Sequence, residues 1–124
     1  MKIDETRWFA RWARKEGIAD AALCDAVRQM RAGLVDADFG GGLLKKRVAR
    51  AGRGKSGGFR TLIATNKADR WIFVYGFPKN ERSNIDPTEE AALKKLAAHL
   101  LSLSAQGIAK ARSAGELTEV DCDA

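Results

Sequence analysis

The chain has 124 residues, 45% of them apolar and 31% charged, a composition that fits one small globular domain and no disordered or fibrous class. Its 22 Lys and Arg against 16 Asp and Glu leave a formal charge of +6, with one His, Cys at positions 24 and 122 only, and no apolar run long enough to cross a membrane. A disulfide framework or a zinc site is therefore not expected: Cys24 reads as a small buried hydrophobe and Cys122 as a tail residue. The opening MKIDETRW lacks the apolar stretch of a signal peptide, which points to a cytoplasmic protein.

Lys2–Thr6 could make a short strand. Trp8, Phe9 and Trp12 then fall on one side of a helix that Gly17 stops, with Arg7, Arg11 and Arg14 outside. The two tryptophans read as core anchors rather than base-stacking platforms. Asp20 suits an N-cap for a second helix, along which Leu23, Val27 and Met30 recur at helical spacing until Gly33 closes it.

After Gly40-Gly41-Gly42 the period drops from 3.6 to 2. Leu44, Lys46 and Val48 face one way; Leu43, Lys45, Arg47 and Ala49 face the other. Arg50–Gly58 is too rich in glycine to be regular and reads as a mobile loop. Phe59–Asn66 alternates as a second strand. Arg70–Phe77 makes a third, placing Trp71, Phe73, Tyr75 and Phe77 on one face and Ile72 and Val74 on the other. Short connections imply a twisted antiparallel meander. The last helix opens on a capping box, with Asp86 as N-cap, Pro87 at N1 and Glu89 at N3, and carries Leu93, Leu96, Ala97 and Leu100 as its buried stripe. His99 sits at the edge of that stripe and reads as a helix-edge residue, not a general base. Beyond Arg112 there are four acids and no base, an acidic tail expected to be loosely held. The division expected is a domain over 1–104 and an extension over 105–124.

Charge is unevenly spread. Between Phe39 and Ala68 lie eight Lys and Arg, seven of the twelve glycines and no acid, and without those eight cations the chain would carry −2. Such one-sided clustering is the footprint of a polyanion-binding surface. Gly54-Lys55-Ser56 imitates the end of a phosphate loop, but Ala49 stands where that motif needs a glycine, and a strand follows where it needs a helix. Phosphodiester chemistry by cations fits better. Lys45, Lys46 and Arg47 on one strand, Arg50, Arg53 and Lys55 in the loop, and Arg60 on the next strand would meet at one end of the sheet, where Lys79 and Arg82 complete a ring. A crowded lysine can carry a proton, and arginines can hold charge developing on phosphorus. RNA supplies its own nucleophile in the 2′-hydroxyl. No carboxylate or histidine cluster calls for a metal, and no cofactor is expected.

Leu43–Arg50 (LLKKRVAR), the glycine-rich basic loop, Ser56–Ile63 (SGGFRTLI) and Phe73–Arg82 (FVYGFPKNER) before an amphipathic helix resemble the RelE/HigB family of bacterial toxin–antitoxin systems, and most of all its HigB-like branch. The likeness covers residues 1–104 and is most specific over 43–83. It implies an α+β, RelE/ParE-like fold with two N-terminal helices and a C-terminal helix on a twisted antiparallel sheet of three main strands, plus the short N-terminal one. It also implies a metal-independent, ribosome-dependent mRNA endoribonuclease that acts in the ribosomal A site by 2′-hydroxyl attack. Its partners would be messenger and ribosomal RNA and a cognate antitoxin, a helix-turn-helix protein of HigA type. The resemblance places Lys45, Arg47, Arg60 and Lys79, with Lys55 from the loop, in the catalytic set; Lys46, Arg50, Arg53, Tyr75 and Arg82 are the expected RNA contacts. Tyr75 has a second reading, as a core residue alternating with Trp71 and Phe73. The match departs at Asn80, where RelE has an arginine, and at Asp86, where it has a catalytic tyrosine. The general acid and base are thus unassigned. Two alternatives stand beside this reading: a gyrase-inhibiting toxin of ParE type, which the basic strand and loop disfavour, and a non-catalytic RNA-binding module.

Overall fold

In the computed structural model, residues 2–50 and 54–123 are described, the side chains of residues 50 and 54–56 excepted. A strand, β1 (Ile3–Thr6), leads directly into α1 (Arg7–Glu16), because the Thr6 hydroxyl caps the helix by accepting the Phe9 N–H at 3.2 Å. Gly17 ends α1 in the left-handed conformation. The second helix, α2 (Asp20–Arg31), starts one residue earlier than expected, with Ala19 as its N-cap. The Asp20 carboxylate instead accepts the backbone N–H of Asp121 from the far end of the chain, at 2.9 Å.

A hairpin follows, β2 (Ala37–Gly40) with β3 (Leu43–Arg50), its turn built from three consecutive glycines at positive φ. Then come β4 (Gly54–Thr65), β5 (Trp71–Pro78), α3 (Pro87–Ser102), α4 (Ala105–Ser113) and β6 (Leu117–Glu119). The sheet is six-stranded and mixed, in the order β2-β3-β4-β5-β1-β6. The expected meander is present as β3-β4-β5. The expectation of three helices and three main strands is corrected to four helices and six strands among the described residues: β2 and β6 are added at the edges, and β1 lies parallel to β5. Both edge strands are four residues or shorter, too short for periodicity to reveal.

Two apolar layers sandwich the sheet. Phe9, Ala13, Leu23 and Val27 from α1 and α2 pack on Leu44, Val48, Phe59, Ile63, Trp71 and Phe73. On the other face, Ala97 and Leu100 of α3 and Ile108 and Ala111 of α4 pack on Leu43, Leu62, Ala64, Ile72, Val74 and Phe77. Asp86, Pro87 and Glu89 form the capping box as expected. Among the described residues no helix is long and apolar enough to cross a membrane.

Four further expectations are corrected. Gly54–Gly58, read as loop, belongs to β4. Cys24 and Cys122 form a disulfide across 98 positions of sequence. A pairing of that range leaves no spacing motif to recognise. The acidic stretch after Arg112 is not loose: β6 pairs with β1, Val120 is buried, and its N–H reaches the Ile3 carbonyl at 2.8 Å. Arg112 holds the Asp4 carboxylate with two hydrogen bonds of 2.9 and 2.8 Å, which ties α4 to the sheet.

The fourth correction concerns β5. Ile63 pairs with Phe73 and Leu62 with Tyr75, so Val74 is an extra residue, a β-bulge. Alternation restarts one step out of phase. Trp71 and Phe73 share one face, which packs on α1, while Tyr75 and Phe77 join Ile72 and Val74 on the α3 face.

Candidate RNA-binding face

Because opposed residues in antiparallel strands share a face, the register decides which cations meet. One row across the sheet reads Lys45 on β3, Leu62 on β4 and Tyr75 on β5; the next reads Arg47, Arg60 and Phe77. One rung beyond, Phe59 pairs with Pro78, and the Lys79 N–H reaches the Gly58 carbonyl at 3.1 Å. Lys45, Arg47, Arg60 and Lys79 therefore share one end of the sheet. The bulge brings Tyr75 and Phe77 to the face that carries Arg60.

These cations differ in how far they are committed. Arg47 donates from Nε and from its backbone N–H to the Asp36 carboxylate, at 2.8 and 2.7 Å. Burial pushes the Asp36 carboxyl up, but those donors outweigh it and hold it below its usual range. Lys45 reaches Asn84 Oδ1 at 3.5 Å, across to the segment before α3. Arg60 is half-buried, and its Nη1 is closed off from solvent with no hydrogen-bond partner among the described residues. A charged donor without an acceptor in such a place is costly unless a ligand supplies one.

Arg82, expected on RNA, is spoken for within the protein. Its guanidinium makes a two-pronged pair with Glu89 at 2.6 and 2.7 Å, donates to the Tyr75 hydroxyl at 2.7 Å, and covers the Phe77 ring at 4.7 Å from its centroid. The Arg82 hydrogen bonds, followed by the Asp86 N–H, bring the Glu89 carboxyl down to about 2. Burial first, then Glu89, raises the Tyr75 phenol above its ordinary value. Glu89 thus both caps α3 and neutralises Arg82, a double role that the sequence reading saw only half of.

Lys46 is corrected outright. It is 4% exposed and lies on the α1/α2 face with Leu44 and Val48, across the sheet from Arg60. Arg53 lies outside the described residues, as do the side chains of Arg50 and Lys55. The tryptophan expectation fails in part: Trp12 packs on the core, but Trp8 is 47% exposed. Among the described residues no group of three or more His, Cys, Asp or Glu side chains could hold a metal ion.

A strand register that gathers basic residues over a sheet backed by helices on both faces is one that many proteins could share. A family model decides among them: the one described as RelE toxin of the RelE/RelB toxin–antitoxin system matches residues 1–120. The chain belongs to the RelE toxin family. No curated protein matches it. The toxin's match extends through β6, and membership implies a cognate antitoxin as its partner.

Proposed function

We propose that this toxin is an endoribonuclease that cuts messenger RNA in the ribosomal A site, using the RNA's own 2′-hydroxyl as nucleophile and protein cations alone to manage charge. The reading rests on one observation above the rest: Arg60, flanked across the strands by Arg47 and Phe77, carries a shielded donor with no acceptor. A non-bridging phosphate oxygen that displaced the groups covering Nη1 would supply the missing acceptor. The guanidinium cannot lose its proton, so its charge is present throughout and stabilises the extra negative charge of a five-coordinate phosphorus. Arg47, tethered by Asp36, steers the strand at the rim, and Lys79 and Lys45 complete the cationic end. The 2′-oxygen loses its proton, bonds to the adjacent phosphorus and expels the 5′-oxygen, which takes a proton in turn. Lys45 and Lys55 are the proposed proton carriers. Arg82 we assign to holding Tyr75 and α3 in place rather than to direct phosphate contact. The antitoxin we take to be a HigA-like helix-turn-helix protein.

Mapping transcript 5′ ends by primer extension during induced expression tests the proposal. Wild type should produce cut mRNAs, and Arg60→Ala should lower cleavage by roughly two to three orders of magnitude, as removal of one charge-stabilising donor does elsewhere, while still binding ribosomes. Growth arrest with intact transcripts would refute the nuclease reading and favour a gyrase target.

A further inference from the structure

The cationic face leaves Trp8 without a purpose. Its ring is one of two large apolar side chains that stay exposed among the described residues, although a buried position on α1 would stabilise the fold more. The ring is not loose. It stacks on Tyr75 at 4.8 Å between centroids and lies within 13° of parallel to Trp12, at 6.0 Å. Gly76 makes this support possible, since a Cβ there would collide with the Trp12 ring. The fold thus stacks an indole against two other rings while leaving about half of it exposed.

One side of that ring borders an apolar hollow with Leu96, Leu100 and Leu103; the side along α1 is basic. Trp8, Trp12, Arg7, Arg11 and Lys15 line one surface hollow along α1. The Arg7 guanidinium donates to the carbonyls of Ala114 and Gly115, and neither it nor Arg11 or Lys15 has an acidic side-chain partner among the described residues. Summing charge along the chain hides this patch, because distant acids cancel it on paper. A pre-stacked aromatic flanked by unpaired cations is how proteins hold single-stranded nucleic acid, one element for the base and the other for the backbone.

Continuity links the patch to the candidate site. Tyr75 stacks on Trp8, its hydroxyl accepts from Arg82, and Arg82 covers Phe77, the cross-strand neighbour of Arg60. We propose that the exposed face of α1 is a second RNA-binding surface, on which Trp8 stacks a nucleobase of the single strand flanking the cut site while Arg11 and Lys15 take its phosphates. The proposal rests on the ribonuclease reading for the identity of that strand. Aromatic rings also anchor protein partners, which makes an acidic antitoxin segment the rival occupant; the unpaired cations beside the half-exposed indole favour RNA.

The test is equilibrium binding of the full chain to a short single-stranded 2′-O-methyl oligoribonucleotide, which cannot be cut by its own hydroxyls. Trp8→Ala should weaken binding roughly tenfold or more, the effect of one lost stacked base, and Trp8→Phe should restore most of it. On the same oligonucleotide made abasic, Trp8→Ala should cost nothing further. Arg11→Gln with Lys15→Gln, both exposed, should reduce the slope of log affinity against log salt by about 1.4, the single-strand value for two phosphates. Unchanged affinity in Trp8→Ala and in the double variant overturns the proposal, as does wild type that fails to bind. Loss of antitoxin binding by Trp8→Ala with RNA affinity intact would give the face to the antitoxin and overturn it equally. Transcript mapping is a separate readout: binding as expected with no cleavage in cells leaves the platform standing and removes the nuclease.

Discussion

Glu5 is a costly charge if it ionises, because its carboxylate is buried without a close partner. It sits on β1 with no side-chain exposure, and neither carboxylate oxygen has a hydrogen-bond partner among the described residues. Arg14 Nη1 comes within 3.7 Å of Oε2, at the outer limit of an ion pair. Burial dominates and pushes the carboxyl from 4.5 up to about 7, against the attraction of Arg14 and with added repulsion from Asp20 and Asp4. The folded state therefore binds a proton more tightly than the unfolded chain does. The stabilising contribution is complete below pH 4.5 and is lost as pH rises to about 7, a change of about 3 kcal/mol at 1.36 kcal/mol for each tenfold. Glu5→Gln keeps the shape and removes the titration. Urea unfolding of both proteins at pH 4.5, 5.5, 6.5 and 7.5 should show the variant's advantage growing from near zero to about 3 kcal/mol. The comparison subtracts every other group, including carboxylates that lose stability in acid. A difference that stays flat across that range would refute the claim that Glu5 is buried and poorly partnered.

Gly76→Ala should cost about 1–3 kcal/mol, the usual range for overpacking, because the new methyl would stand 2.6 Å from Trp12 Cη2; a changed tryptophan emission spectrum beside the lowered melting temperature would report the displaced ring. Glu89→Gln removes the acidic partner of Arg82 but keeps an oxygen that can accept the Asp86 N–H of the capping box. Since the Glu89 carboxyl is held near 2, its contribution is present above pH 4.5 and fades as pH falls towards 2, so wild type and variant should differ by about 1–2 kcal/mol at pH 7, discounted for partial exposure, and converge in acid. Cys122→Ser opens a loop spanning 98 positions and should lower stability by about 2–4 kcal/mol in oxidised protein, with no difference once wild type is reduced.

Much of the site was legible because β3 and β4 pair in regular register from Leu43–Ala64 to Val48–Phe59, so the shared face of Lys45, Arg47 and Arg60 follows from a period of two. The same reasoning correctly turned Lys46 towards Leu44 and Val48, yet charge arithmetic still enrolled it as an RNA contact. Alternation failed at β5, where the bulge at Val74 reversed Tyr75 and Phe77. A signal was present: a lone glycine inside a strand marks a bulge or a close backbone approach, and Gly76 is both adjacent to the bulge and pressed by Trp12. Arg82 was misjudged for a different reason. Its partner, Glu89, is seven residues on and had already been explained as a cap, and nothing in the linear chain says that a capping carboxylate has a second oxygen to offer.

Local chemistry alone determined the helix boundaries at Thr6, Gly17, Asp86 and Pro87, the β3-β4-β5 meander, and the cationic character of one stretch, since caps, turns and alternation act over a few residues. The folded chain decided what distance along the backbone conceals. It joined Cys24 to Cys122, laid β6 beside β1, assigned Arg47 to Asp36 and Arg82 to Glu89, left Arg60 Nη1 without an acceptor among the described residues and set Trp8 half-exposed over Tyr75. Each of these is a choice of partner, and partners are chosen by where packing brings groups together, which no count of charges or spacing can specify.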